Sequence, residues 1–170
     1  PSDFYGLRGE DYGQGFVFST MPQLVPLIHA SLENKRDSVT AKNVVETLRN
    51  YSLTGNSAWF FAKEGMYTID NPDVSERRLS LDESNLRKLL SRQEGSIHFS
   101  DDRRIRFTHY GYKVGEQSAS ELAKNAGAIA TFGSEQGAEL FAKASEHYGL
   151  NPLFRDLERV KPPVIFVPRV

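Results

Sequence analysis

One short segment restricts the fold of this chain more than any other. Trp59, Phe60 and Phe61 lead into Lys63-Glu64-Gly65, and Met66 to Ile69 return. A three-residue loop ending in glycine predicts a hairpin with Gly65 in the left-handed conformation. That register puts Trp59, Phe61, Tyr67 and Ile69 on one face, and Ala58, Phe60, Ala62 and Met66 on the other. Both faces are apolar, so the hairpin belongs inside a sheet covered on both sides.

A second hairpin is expected from Ser96 to about His109, turning at Asp101-Asp102-Arg103. Slipping a strand by one residue moves every side chain to the opposite face. A three-residue loop pairs Phe99 with Ile105 and Ile97 with Phe107. It leaves His98, Arg104, Arg106 and Thr108 on an outer face, and it points His98 and His109 to opposite faces.

Helices account for much of the remainder. Leu24, Val25, Leu27, Ile28 and Leu32 form an apolar stripe, with Pro26 placed in the first turn because it lacks an N–H. A second helix is expected over about 41–51, starting at Thr40. A third, over about 81–93, has Ser80 and Glu83 at capping-box spacing and Gly95 as its stop. From about residue 114 alanine and glycine rise. The reading there is a helix over 118–126, a strand over 128–132, a Ser134-capped helix to about Tyr148, a short helix opened by Asn151-Pro152, and a strand over 164–167. A chain segment long enough for a crossover separates the two strands, which predicts that they are parallel.

The expected fold is therefore α+β (mixed α/β). It comprises a mixed sheet with two β-hairpins, helices packed on the sheet, and a C-terminal parallel βααβ unit. Residues 1–170 are read as a single domain, subdivided into a hairpin and helix portion (1–113) and a βααβ portion (114–170). At 170 residues with 39% hydrophobic and 25% charged side chains, the chain has ordinary globular composition. No apolar run approaches the roughly 18 residues of a membrane helix. The absence of cysteine excludes disulfides, thiolate metal sites and cysteine nucleophiles. A cytoplasmic protein with no membrane partner is the simplest expectation.

Two surfaces stand out. The turn Thr131-Phe132-Gly133-Ser134 is read as the passage from a strand to a helix. Free amides at a helix start attract anions, and parallel sheets bind ligands beyond the carboxyl ends of their strands. With the parallel neighbour ending near Pro168, Gly133, Ser134 and Arg169 form an anion-binding candidate for phosphate or carboxylate. The simpler reading is that Ser134 only caps the helix. No general base lies nearby, so binding without turnover is expected there.

The second surface is the hairpin face. The chain is nearly neutral at net charge -1, but residues 71–113 hold 9 basic and 7 acidic side chains. Arg103, Arg104 and Arg106 project with His98, and Tyr110, Tyr112 and Lys113 follow. Arginines interleaved with aromatics supply charge for phosphate and flat rings for stacking, as a nucleic-acid surface requires. The simpler reading is a solvated face paired to Asp101, Asp102 and Glu94. No metal site and no cofactor are expected, since no histidine has a partner at helical metal-ligand spacing. The aromatic, glycine-rich residues 1–15 are expected to pack across the interface of a homo-oligomer, a dimer in the first instance. Taken together, the sequence reads as a non-enzymatic binding or regulatory module. Nucleic acid is the expected partner at the basic hairpin, and a small anion at 131–134 is the alternative.

Overall fold

The computed structural model describes residues 18–50, 55–72, 74–75, 78–79, 82–147, 153–154 and 164–166. The α+β class holds: helices pack on an antiparallel sheet. Helix α1 (Met21–Asn34) begins earlier than its proline implied, because the Thr20 N–H donates to Gln23 Oε1 at 2.9 Å and secures the first turn. Pro26 therefore lies in the second turn. Helix α2 (Val39–Asn50) starts at Ser38 rather than Thr40, since Ser38 Oγ accepts from the Ala41 amide.

The first hairpin joins β1 (Ser57–Phe61) to β2 (Gly65–Asp70). The Ala62 N–H donates to Gly65 O, so only Lys63 and Glu64 form the tip. This is one residue shorter than expected, and it reverses part of the face assignment. Trp59, Phe61, Met66 and Thr68 share one face, and Phe60, Tyr67 and Ile69 the other. Both strands are buried almost throughout, as two covered faces require. Gly65 is not left-handed but is needed for close approach: a Cβ there would lie 2.2 Å from Thr108 O.

A two-stranded ribbon, β3 (Val74–Ser75) and β4 (Arg78–Leu79), precedes α3 (Glu83–Leu89). Asp82 caps α3 by accepting from the Ser84 amide; Ser80 lies outside the described residues. The expected helix to residue 93 is cut short. Residues Leu90–Glu94 form β5, which turns at Gly95 (φ 59°) into β6 (Ile97–Ser100). Glycine at the first of two central turn positions suits a hairpin better than a helix stop.

Strand β6 pairs with β7 (Ile105–His109) through His98 opposite Phe107 and Phe99 opposite Arg106. The loop holds four residues, not three. Ser100 explains this: its Oγ donates to Asp102 at 2.7 Å and accepts from the Ile105 amide at 3.0 Å, while Arg103 takes φ 58°. The face assignment is thereby inverted relative to the expectation.

Beyond β8 (Gly115–Glu116), Ser118 and Glu121 form a capping box on the single turn α4 (Ala119–Leu122). Asn125 then caps α5 (Ala126–Phe132), its Oδ1 accepting from the Gly127 and Ala128 amides. The expected strand over 128–132 is thus a helix. A short apolar run does not distinguish the two, and here a capping asparagine before it and Gly133 at φ 84° after it close both ends of a helix. Helix α6 (Glu135–His147) follows, capped by Ser134 as expected, whose Oγ accepts from the Gly137 amide at 3.0 Å.

Leu153–Phe154 form β9 on β8, in place of the expected short helix at that point. Residues 164–166 form the strand β10, paired antiparallel to β1. The parallel βααβ unit is therefore absent: its first strand is helical and its last runs antiparallel. Among the described residues the main sheet has six strands in the order β10-β1-β2-β7-β6-β5, every pair antiparallel rather than mixed.

Two cores result. One joins α1, α5 and α6 to Phe61, Met66, Ile97 and Phe99; the other packs Phe60, Tyr67 and Phe107 with Leu86 of α3. Among the described residues no helix is long and apolar enough to cross a membrane.

Candidate functional site

The inverted register relocates the arginines. Arg106 faces α5 and is 2% exposed, so it is not part of an outer basic face. Its Nη1 donates to Asp70 at 2.6 Å and to Arg103 O at 2.7 Å, and its Nε donates to Ala130 O. Ala130 carries one of the last four carbonyls of α5, which have no partner within the helix. The guanidinium satisfies it. Asp70 also accepts from Ser57 Oγ, which accepts from the Met21 amide. This network joins α1, β1, β2, β7 and α5 in the interior.

Arg103 and Arg104 stay at the surface with acidic partners. Arg103 forks onto both carboxylate oxygens of Glu94, at 2.5 and 3.0 Å, and lies over the Phe99 ring. Arg104 donates to Asp102 at 2.6 Å. That bond and the Ser100 hydroxyl push the Asp102 carboxyl down to about 2. These pairings match the simpler reading of the hairpin as a solvated, internally neutralised surface.

The anion candidate does not assemble as expected. Gly133 ends one helix and Ser134 starts the next, with no strand between them. Ser134 Oγ is engaged as the α6 cap. Arg169 lies outside the described residues, as does the arm over residues 1–15.

His98, Tyr110 and Lys113 do come together, in a cleft of about 670 Å³ at the end of the sheet. The β5–β6 turn forms one wall, the segment from Thr108 to Lys113 the floor, and residues from Gln117 to Ala126 the other wall. His109 joins His98 here, because both lie on one face of β6 and β7. Their ring centroids are 6.1 Å apart at 84°, and Phe107 packs against both rings. The expectation that the two histidines diverge is overturned with the register that produced it.

The aromatic part of the cleft is built firmly. Tyr110 donates its hydroxyl to Ala62 O at 2.7 Å, and the Tyr112 hydroxyl reaches Met66 Sδ at 3.8 Å. Asn125 Nδ2 donates to Lys113 O at 2.6 Å and to Gln117 Oε1 at 2.8 Å, so the cap of α5 also shapes the wall. Lys113 pairs with Glu121 at 2.7 Å. That bond, with the Ser118 amide and hydroxyl, pushes the Glu121 carboxyl down to about 2. Lys124 lines the same wall. Among the described residues no three histidine or carboxylate side chains gather as a metal set.

Sequence reasoning names His98, Tyr110, Tyr112 and Lys113 but not the cleft; it sets His109 apart from His98 through the wrong register and does not name Lys124. The run His109-Tyr110-Gly111-Tyr112-Lys113 was the available signal. Compared with protein-family models, curated proteins and solved structures, the chain matches none.

Proposed function

We propose that the protein is a binding module for a nucleotide unit, free or at the end of a single strand, seated in the cleft beside β7. The observation that carries this reading is the composition of one concavity: two tyrosines, two histidines and two lysines line it together. Tyrosine rings offer stacking surface to a base, and Lys124 offers charge to a phosphate, Lys113 being paired with Glu121. The volume lies within the roughly 300–1,000 Å³ common for small-ligand sites. The amides of Gln117 and Asn125 are held by their own hydrogen bonds and keep the wall in place.

This reading retains nucleic-acid chemistry but moves it from the arginines to the cleft. Arg103 and Arg104 already have carboxylate partners, and Arg106 is interior. Self-association through residues 1–15 rests on the sequence alone. The large apolar side chains exposed among the described residues are Leu27, Val39 and Leu89.

Calorimetric titration of the whole chain tests the reading, using nucleoside monophosphates, the matching nucleosides, inorganic phosphate and short single-stranded oligonucleotides. The monophosphate or the oligonucleotide should bind more tightly than either nucleoside or phosphate alone, and the tighter of the two identifies the source of the unit. Lys124→Ala should weaken binding about 10- to 100-fold, in line with the roughly 1.5–3 kcal/mol of a hydrogen bond to a charged group. Arg104→Ala should leave affinity unchanged. Absence of binding by all four ligands would overturn the assignment.

A further inference from the structure

We propose that the cleft also cleaves RNA, with His98 and His109 acting as a proton-transfer pair on one phosphodiester. The inference rests on reading the cleft as a nucleotide site. Binding alone does not call for two imidazoles; lysine or arginine serves an anion better. Imidazole is the side chain that both takes up and releases a proton near neutral pH. Two of them on one face of β6 and β7, 6.1 Å between centroids, can address opposite sides of a single phosphoryl group.

His109 is oriented by its neighbour. Its Nδ1 lies 3.4 Å from Glu64 O, and a carbonyl only accepts, so this contact favours the tautomer protonated on Nδ1. In the neutral ring Nε2 then carries the lone pair, which makes His109 the base. With His109 as base, His98, its ring 6.1 Å away, is left to serve as the acid. The earlier expectation of a site without a general base concerned the turn at Ser134; the register of β6 and β7 supplies a base and an acid elsewhere.

The substrate brings its own nucleophile. His109 Nε2 takes the proton of the ribose 2′-hydroxyl as that oxygen attacks phosphorus. The P–O5′ bond breaks as His98 gives its proton to O5′. The products are a 2′,3′-cyclic phosphate and a 5′-hydroxyl, and proton exchange with water restores both rings. Lys124, in the lining of the same cleft, supplies positive charge for the non-bridging oxygens. DNA, lacking the 2′-hydroxyl, should bind without being cut.

The test is incubation of the full chain with end-labelled single-stranded RNA and its 2′-O-methyl analogue, with product ends identified by mass. RNA should be cut to 2′,3′-cyclic phosphate ends, and a single 2′-deoxy substitution should block cleavage at that position. His98→Gln and His109→Gln should each slow cleavage about 10²–10⁴-fold, far more than either weakens binding of the 2′-O-methyl strand. A wild-type chain that binds the analogue but leaves RNA intact overturns the inference and spares the binding reading. Equal cleavage by wild type and both variants overturns it also. Failure to bind RNA or the analogue brings down the binding reading itself.

Discussion

Arg106 ties the sheet to α5 through directional bonds as well as packing. Its guanidinium meets Asp70 from the sheet and the open end of α5, and both partners are buried with it. Removing one member of a buried pair strands the other charge in a low dielectric, at about 3–5 kcal/mol. Arg106→Met should therefore lower the unfolding free energy by about that amount in urea titrations. The double variant with Asp70→Leu should lose less than the two single variants together, because it leaves no orphaned charge. Arg104→Met, at an exposed pair, should change stability by under about 1 kcal/mol. The sequence does not separate these arginines. They sit two residues apart, and only the length of the turn decides that Arg104 stays in the loop while Arg106 enters β7 facing α5. That length was set by the Ser100 hydroxyl, a hydrogen-bonding detail with no hydrophobic signature.

At the scale of elements, legibility followed the strength of the punctuation. The Ser134-capped helix was readable because a capping serine carries local physics, and the two hairpins because apolar runs flank a short polar turn. The run Ala128–Phe132 was not, because five small or apolar residues suit a buried strand and a buried helix equally. Its assignment depended on Asn125, three residues upstream, whose side chain also holds Lys113 and Gln117. The cleft inherited the same difficulty. Lys113 was visible, but Lys124 and Asn125 reach it only because 126–132 is a helix that begins where it does. Gly65 supplies the element-scale prediction. A methyl group at this position would lie 2.2 Å from Thr108 O and 2.8 Å from the Phe107 ring. Backbone cannot swing aside as a side chain can. Gly65→Ala should cost about 1–3 kcal/mol and broaden the His98 and His109 resonances, since Phe107 packs against both rings.

For the whole molecule, class was legible and connectivity was not. Two apolar faces on the first hairpin correctly placed it inside a covered sheet. The partner on its outer side is β10, which arrives from a hundred residues away and whose direction no local pattern announces. Without β10, β1 would become the sheet's edge, with Trp59, Phe60 and Phe61 in a row of unpaired backbone donors and acceptors. An apolar edge of that kind invites pairing with another chain. Removing residues 164–170 should therefore lower the thermal midpoint and make the protein aggregate as its concentration rises. Placing a lysine at Phe60 in the shortened chain is the wrong rescue, because that side chain is buried beneath Leu86 and Tyr67. Adding back a peptide of residues 162–170 is the right one. If β10 acts by covering β1, the peptide should restore the midpoint in a dose-dependent way, and light scattering should fall with it. A shortened chain that stays monomeric at the wild-type midpoint would show that the β1 edge needs no cover.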